Sequence, residues 1–406
     1  MRRRFATLLL VASVLLGTVP AMAANSTNNS SVTPQVDVGV ETAGVLQAMQ
    51  QSSDNNTLPD VPVGFQSAVG NVFVNADVTP GLQVYFELYL SSKHHEGYVM
   101  DREGYMYLSK LPEAYNIFDL NRLFQFVDIK AGLFEIDYGN WHLNRSDNGQ
   151  VQRNPLIGNY VVDANTTEPG IEVIGSAGPV RGVIGVSTGT TTGDFKDGRG
   201  IATHGKVGLT LSRLDLAGSF YTVDHTGNPT GYPNNGSYSA LFAGNRSGSR
   251  YSGVLGNGPE VGQLAIGNGQ QVTAYQIDAA YKFDPIRLYG MYGNSKDADI
   301  NGTDAGAPAE EWTYYGAEAQ WNLSEVLYLA GRYNQAAASQ IAGASSDATI
   351  NRIQGGLGFW LTPVVLLKAE YVTQQYHGLP DGYNGIPDVG GNPSFSGLLT
   401  EFSVKF

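Results

Sequence analysis

Apolar and polar residues alternate one by one along many short segments of this chain. In one clear segment, Val365, Leu367, Ala369 and Tyr371 alternate with Leu366, Lys368, Glu370 and Val372. Residues 82–91, 127–134 and 206–212 repeat the pattern. A period of two predicts a strand with two unlike faces, and about ten residues suffice for a tilted strand to cross a bilayer. The pattern therefore predicts a transmembrane β-barrel.

The last strand carries the same signal and ends in an aromatic residue. Phe402, Val404 and Phe406 alternate with Glu401, Ser403 and Lys405. This ending is typical of the C-terminal assembly signal of bacterial outer-membrane barrels. We therefore predict outer-membrane lipid and the barrel assembly machinery as partners, and the bacterial outer membrane as the location.

Two kinds of connector separate the alternating segments. Tight turns are predicted at residues 79–81, 176–179, 213–215, 284–285, 322–325 and 362–363. Long polar stretches lie at residues 139–168, 190–200, 226–270, 295–310, 335–348 and 376–394. Short and long connectors alternate, which is typical of an antiparallel up-and-down barrel with short periplasmic turns and long outer loops.

The strand count rests on the start of the chain. Fifteen segments are recognisable from residue 63 onward, and single-chain bacterial barrels have an even number of strands. Val36, Val38 and Val40, which alternate with polar residues and glycine, supply the missing strand within residues 36–44 and make sixteen. A helix from Glu41 to Gln51 is the alternative, because Val45, Leu46 and Met49 also fit a helical stripe.

The N-terminal region has the features of a secretory signal. Arg2, Arg3 and Arg4 precede an apolar run, and Ala21-Met22-Ala23 provides a cleavage site. The predicted division is therefore a signal peptide over residues 1–23, a flexible leader over 24–35 and a single barrel domain over 36–406. No later run of 18 apolar residues indicates a membrane helix.

Composition narrows the partners. Removing the signal leaves 21 basic against 37 acidic residues, a net charge of −16, which argues against nucleic acid. The absence of cysteine fits a barrel that needs no disulfides. His94-His95-Glu96 and the glycine-rich loop around Asp381 lack the spacing of metal sites, so no metal and no cofactor are predicted.

Sixteen strands enclose a lumen too wide for side chains to fill, which predicts a water-filled channel for small hydrophilic solutes or ions. The alternation assigns a nearly balanced set of charges to its wall, most of which we expect to form hydrated ion pairs. The predicted wall charges are Glu87, Asp128, Lys130, Glu172, Arg181, Lys206, Asp215, Asp278, Lys282, Arg287, Glu318, Arg332, Arg352, Lys368 and Glu370.

Residues 139–168 are the candidate constriction. The stretch carries Trp141, Arg145, Asp147, Arg153 and Asp163, and mixed charges in a loop that folds inward would narrow the passage and create a transverse field. We expect Arg145 and Arg153 to face a lumen acid such as Asp128 or Glu172. A loop that covers the mouth or packs between subunits is the alternative.

A family resemblance rests on the order of these motifs. The strand at residues 82–87, the strand at 127–135, the loop with Arg153-Asn154-Pro155 and the segment Glu168-Pro169-Gly170-Ile171-Glu172 resemble the phosphate-selective type of outer-membrane porin. The resemblance implies a 16-stranded barrel, a homotrimer and a loop folded into the pore. The acidic composition departs from the basic wall and mouth of that family.

Two other classes of function remain open. A structural or adhesion barrel would act through its outer loops, and the glycine- and asparagine-rich residues 226–270 could serve that purpose. An outer-membrane hydrolase would need a nucleophile and a base at one depth. Only His204, of six histidines, lies within a strand segment and faces the lumen, and no serine is marked out beside it, so an enzyme is not predicted.

Overall fold

The computed structural model describes residues 34–54, 58–66, 68–91, 99–146, 149–164, 166–190, 201–224, 241–242, 250–256, 264, 271–299, 307–341, 344–380 and 391–406. The predicted signal peptide lies outside these residues, as does the leader except for its last two positions. One compact unit spans Gln35–Phe406. No helix in the described part of the chain is long and apolar enough to cross a membrane.

Strands make up nearly all of the regular secondary structure in the described residues. The first nine segments are β1 Gln35–Ser52, β2 Gly64–Phe65, β3 Val69–Thr79, β4 Leu82–Ser91, β5 Val99–Leu108, β6 Val127–Glu135, β7 Thr167–Ala177, β8 Val180–Ser187 and β9 Ala202–Leu211. The others are β10 Leu214–Val223, β11 Gln271–Phe283, β12 Ile286–Asp299, β13 Ala307–Asn322, β14 Leu327–Ile341, β15 Ala344–Ser345, β16 Thr349–Thr362, β17 Val365–His377 and β18 Ser394–Lys405.

Sixteen long antiparallel strands form one closed barrel, since β2 and β15 have only two residues each. Each long strand pairs with the next along the chain, and β1 closes the ring by pairing with both β3 and β18. Its first half lies opposite β3, from Gln35 beside Asp77, and its second half runs along β18 as far as Ser52 beside Ser394. Closure leaves no free sheet edge. The predicted fold class and strand count are confirmed.

The structure corrects the sequence prediction in three places. The alternative helix over Glu41–Gln51 is wrong, because β1 runs as strand through Ser52. Two predicted long loops, 295–310 and 335–348, are shorter than expected because β12, β13 and β14 extend into them. The alternation of short and long connectors fails between β5 and β6, where residues 109–126 form a long connector at the end of the barrel that carries the tight turns.

Outward positions are apolar along the wall. Val207 is 60% exposed, Ile277 61% and Phe402 48%, while their strand neighbours on the other face are mostly buried. An apolar outer surface on a closed barrel is what a bilayer requires. The architecture confirms that this is an outer-membrane protein.

Candidate functional site: an inserted loop and the lumen wall

The chain between β6 and β7 folds into the barrel. We call residues 136–166 the inserted loop. Its own side chains give it a shape: the Arg145 guanidinium lies 2.6 Å from the Asp163 carboxylate, and both residues are buried. Asn154 donates from its amide to the Ser146 hydroxyl at 2.8 Å and to the Gly158 carbonyl at 3.0 Å. The loop therefore has an internal polar framework before it reaches the wall.

Acidic wall residues accept hydrogen bonds from the loop backbone. The Glu370 carboxylate on β17 accepts from the amides of Ile157 and Gly158 at 2.6 and 3.0 Å. The Glu41 carboxylate on β1 accepts from the Val151 amide at 3.3 Å. A buried amide without a partner costs about 1–3 kcal/mol, so these carboxylates fix the loop against this part of the wall.

Basic wall residues bind the loop carbonyls. The Lys368 ammonium donates to the carbonyls of Val151, Asn154 and Leu156 at 2.8–3.2 Å. It also lies 2.6 Å from the Glu401 carboxylate. All of these groups lie away from water, and Lys368 is only 3% exposed. The ammonium thus neutralises a buried acid and satisfies three backbone acceptors at once.

Two arginines extend the attachment around the wall. Arg332 on β14 donates to the Gly158 carbonyl at 2.7 Å and pairs with Glu318 at 2.6 Å. Its guanidinium also lies 4.4 Å from the ring centres of Trp141 and Tyr160, within range of cation–π attraction. Arg352 on β16 donates to the Asn159 carbonyl at 2.5 Å. The strands from β14 to β18 therefore hold the loop.

A second segment enters the barrel from the connector between β10 and β11. The described residues 241–242, 250–256 and 264 are mostly buried, and the Leu264 amide donates to the Val161 carbonyl of the inserted loop at 2.7 Å. Arg250 lies 2.7 Å from Glu401, and the Tyr251 hydroxyl donates to Glu370 at 2.7 Å. Burial raises the pKa of Tyr251 well above its usual range, so the hydroxyl keeps its proton. Sequence reasoning missed this insertion.

The opposite side of the lumen carries a different charge cluster. Arg102 on β5 lies 2.7 Å from Glu87 on β4 and 2.8 Å from Glu135 at the end of β6. The register of β4 and β5 shifts between Glu87 and Leu88, as in a β-bulge. A bulge breaks the period of two, which explains why the alternation did not identify Arg102 as a wall residue.

The other wall charges lie on the inward face, and several are paired. Glu172 contacts Lys130 at 3.5 Å and the buried His204 at 3.0 Å. The Asp128 carboxylate accepts from the Tyr107 hydroxyl at 2.6 Å. The remaining positions lie as follows: Lys206 against Asp137, Asp278 against Gln276 and Tyr289, Asp215 against Lys282, and Arg181 and Arg287 exposed near the turn end.

The predicted constriction residues do not share one surface. Arg145 pairs with Asp163 inside the loop rather than facing Asp128 or Glu172. Trp141 is 3% exposed and packs against the ring of Tyr160. Arg153 is exposed, and its neighbour Gln152 donates to the Val364 carbonyl at the turn end. Asp147 lies outside the described residues. Their role in solute selection stays a prediction.

The residues of the predicted assembly signal lie where the alternation puts them. Phe402, Val404 and Phe406 face outward, and Phe406 is 73% exposed. The backbone of Phe406 exchanges hydrogen bonds with Val40 at 2.7 and 3.0 Å. The described residues hold no cluster of three or more histidine, cysteine or acidic side chains that could bind a metal; His94-His95-Glu96 and Asp381 lie outside them.

Comparison with solved structures places the barrel among known channels in fold. The outer-membrane channel DcaP of Acinetobacter baumannii superposes with a TM-score of 0.57 at 9% identity, covering 93% of this chain and 99% of that one. OmpF of Salmonella typhi, solved with daunomycin, gives 0.55 at 12%, covering 91% and 97%. An anion-selective porin from Comamonas acidovorans gives 0.53 at 13%, covering 92% and 100%.

The fold resembles solved structures, but the sequence matches no known family. No protein-family profile matches the chain, and no curated relative matches it. The structural neighbours are bacterial outer-membrane porins and channels, all below 25% identity. What this chain shares with them is therefore the porin-like fold of a 16-stranded outer-membrane barrel.

Proposed function

We propose that this protein is a porin, a channel through which small hydrophilic solutes or ions diffuse across the outer membrane. The observation that supports this proposal is the inserted loop, which Glu370, Lys368 and Arg332 hold inside a polar lumen. Near the turn end of β3, β4 and β5, a cavity of about 300 Å³ lies along the wall. A loop held inside a lumen narrows the passage.

The chemistry of the wall bears on ion preference. Arg332, Arg352 and Lys368 are buried and bonded to loop carbonyls, so these bases hold protein and do not present charge to a passing solute. The phosphate-selective subtype therefore has less support than a general porin. Arg153 is the exposed base of the described inserted loop, and we assign the loop's contribution to anion preference to it.

A homotrimer is the assembly we propose. Outward aromatic residues gather on β11 to β17, where a lipid interface favours them: Tyr275, Tyr281, Tyr292, Tyr315, Trp321, Tyr333, Phe359 and Tyr371. The outward positions of β1 and β3 are small or branched, such as Gly44, Val72 and Ala76. Because these strands lack the aromatic belt that a lipid interface favours, we propose that a second copy of the chain covers them.

The trimer interface can be tested with one matched pair of variants. Ala76→Trp places a bulky ring on the proposed subunit face, whereas Ala319→Trp places it on the aromatic face of β13. We expect the first variant to dissociate the detergent-solubilised trimer at a lower temperature and the second to leave it unchanged. Equal behaviour of both variants, or a monomer for the unmodified protein, would contradict this interface.

Lipid and the barrel assembly machinery complete the proposed partners. The exposed ring of Phe406 contributes nothing to the backbone closure with Val40, which needs only main-chain atoms. Phe406→Ala should therefore lower the amount of inserted protein without altering the folded barrel. Normal amounts of the variant in the outer membrane would remove the assembly role.

The competing functions receive less support. The Nε2 atom of His204 lies 3.0 Å from Glu172, and the hydroxyl of Ser187 on the adjacent strand donates to Glu168 at 2.7 Å. Ser187 and His204 therefore bond to two different carboxylates and not to each other, and we propose no enzyme activity. The connector between β10 and β11, which is the alternative adhesion surface, sends Phe242, Tyr251 and Leu255 into the barrel, which favours a role in the lumen.

Current recordings of the purified protein in a planar bilayer under a salt gradient test both the channel and its preference for anions or cations, the latter from the reversal potential. Discrete current steps with a measurable preference are expected. A silent bilayer that contains correctly folded, heat-modifiable protein would overturn the channel proposal.

A further inference from the structure

A cavity of about 300 Å³ lies in the turn-side half of the lumen. It is lined by Asn75 of β3, Gln83 and Tyr85 of β4, and Tyr105 and Tyr107 of β5. Cross-strand pairing aligns these side chains, because Tyr85 lies directly opposite both Asn75 and Tyr105, and Gln83 lies opposite Tyr107. Two neighbouring rows of the sheet therefore build the whole lining.

Three of the five lining residues are tyrosines. The rings of Tyr85 and Tyr105 have centroids 5.2 Å apart with an angle of 33° between their planes. Both side chains are half-buried, so part of each ring faces the cavity. Two rings held in a fixed, tilted arrangement on a rigid sheet offer a preorganised apolar surface.

The polar groups of the lining are neutral. In the described structure the Asn75 side chain has no hydrogen-bond partner, so its amide can donate and accept. Gln83 donates to Asp77 at 2.8 Å, and Tyr107 donates to Asp128 at 2.6 Å, which leaves the oxygens of Gln83 and Tyr107 able to accept. Donors and acceptors therefore surround the rings at fixed positions.

The nearby charges already have partners. Asp77 and Asp128 accept the bonds just described, and Lys130 lies 3.5 Å from Glu172 and 4.8 Å from the centre of the Tyr105 ring. The five lining side chains themselves carry no formal charge, which favours an uncharged ligand. The lining thus combines apolar ring faces with neutral hydrogen-bonding groups, as small-molecule sites of about 300–1,000 Å³ commonly do.

We infer that this cavity, which we call the tyrosine site, binds an uncharged, hydroxyl-rich ring solute, a monosaccharide in the pyranose form. A pyranose has an apolar C–H face that can lie on the Tyr85 and Tyr105 rings, and equatorial hydroxyls that can reach Asn75 and Gln83. The inference rests on the proposed channel, because the site lies inside the lumen and a solute reaches it through the passage.

The test compares two hydroxyl-rich six-carbon probes, one cyclic and one open-chain. D-glucose should reduce the ion current of the full-length protein in a planar bilayer in a saturable way. Sorbitol has the same number of carbons and no ring, and we expect it to bind about threefold to tenfold more weakly because it cannot stack. Equal half-saturation by both probes, or stronger block by inorganic phosphate than by glucose, would overturn the inference.

Variants assign the effect to the tyrosine site. Tyr105→Ala should weaken glucose block about threefold to tenfold, whereas Tyr105→Phe should keep most of it because the ring remains. Tyr292→Ala, on the outward face of β12, is the matched control and should change nothing. Should Tyr105→Ala fail to fold, Asn75→Ala serves instead. Unchanged block in every folded lining variant contradicts the site.

A second measurement separates this inference from the channel itself. Saturation-transfer NMR detects glucose bound to the detergent-solubilised protein without requiring conductance. Binding in a protein that shows no current would refute the channel and retain the site. Conductance without glucose binding would refute the site and retain the channel.

Discussion

The connectors at the two ends of β6 behave in opposite ways. Residues 109–126, which we call the turn-side lobe, expose apolar side chains: Tyr115 is 71% exposed, Ile117 80% and Phe118 78%. The inserted loop, residues 136–166, buries charge instead, with Arg145 fully covered and Asp163 4% exposed. Apolar side chains of the lobe therefore stay exposed, whereas a charged pair of the inserted loop is buried beside apolar side chains of the same loop; both are the reverse of what those residue types show in a soluble protein.

Partners explain the reversal. Apart from Ser109, which donates to the Gly81 carbonyl, the lobe makes its described polar contacts within itself. The Asn121 side chain accepts from the Leu111 amide at 2.7 Å and donates to the Leu111 carbonyl at 2.9 Å. The inserted loop bonds to the barrel wall more than 150 positions away, at Glu370 and Lys368. In a barrel with a polar interior, a connector is buried where polar partners receive it.

The largest expected effect comes from the wall that receives the inserted loop. Glu370→Ala removes the acceptor for Ile157, Gly158 and Tyr251. Buried donors are then left without partners, and we expect the loop to open more easily by about 3–5 kcal/mol. Hydrogen exchange of the loop amides measures this change. The control is Glu325→Ala in an exposed turn. Equal protection of the loop amides in both variants would show that Glu370 does not hold the loop closed.

The next effect lies within the loop. Arg145→Met leaves the Asp163 carboxylate buried without its guanidinium and should destabilise the loop by about 3 kcal/mol. Arg145→Met with Asp163→Leu should recover part of that loss, because no lone charge remains. The loss of stability in both variants is measured by heating samples stepwise and following the folded band on gels without boiling. A double variant as unstable as the sum of the single variants would show that the pair acts through other contacts.

A smaller effect is expected in the turn-side lobe. Asn121→Ala removes the two bonds to Leu111 and should loosen the lobe by about 1–2 kcal/mol. Because the lobe lies outside the lumen path, conductance should stay that of the unmodified protein. A changed conductance would show that the lobe, like the inserted loop, affects the ion path.

The smallest effect on stability belongs to Arg153. Its side chain is exposed, so Arg153→Gln should alter stability by no more than about 0.5 kcal/mol. The same change should shift the reversal potential toward cation preference, since it removes a positive charge from the lumen. Arg145→Met should leave the reversal potential nearly unchanged. A larger shift of the reversal potential for Arg145→Met than for Arg153→Gln would indicate that Arg145, and not Arg153, faces the pore.

The period of two predicted the barrel because lipid and water face alternate residues. The strand from Val365 to Val372 shows this, as its lysine and glutamate point inward and its tyrosine outward. Strand ends were less predictable: Ser295 and Gln335 lie in predicted loops, yet each has a partner in a neighbouring strand. Cross-strand pairing extended these strands beyond what local composition indicated.

The candidate site was predictable in its residues and not in their contacts. Alternation identified Lys368 and Glu370 as inward charges, but a periodic pattern carries no information about which loop will cover them. The same limit hid the second insertion, since Phe242 and Tyr251 lie in a glycine-rich stretch without periodicity. It also hid the turn-side lobe, whose apolar residues do not alternate. Long-range contacts decided the first two, and local contacts such as those between Asn121 and Leu111 hold the lobe.

If the inserted loop narrows an open channel, removing the loop increases the single-channel conductance. Residues 139–164 would be replaced by a short glycine-serine turn, because β6 and β7 are paired neighbours and need only a hairpin. We predict discrete conductance steps for the unmodified protein and larger steps for the replacement. A folded, trimeric replacement whose conductance equals that of the unmodified protein would contradict the account.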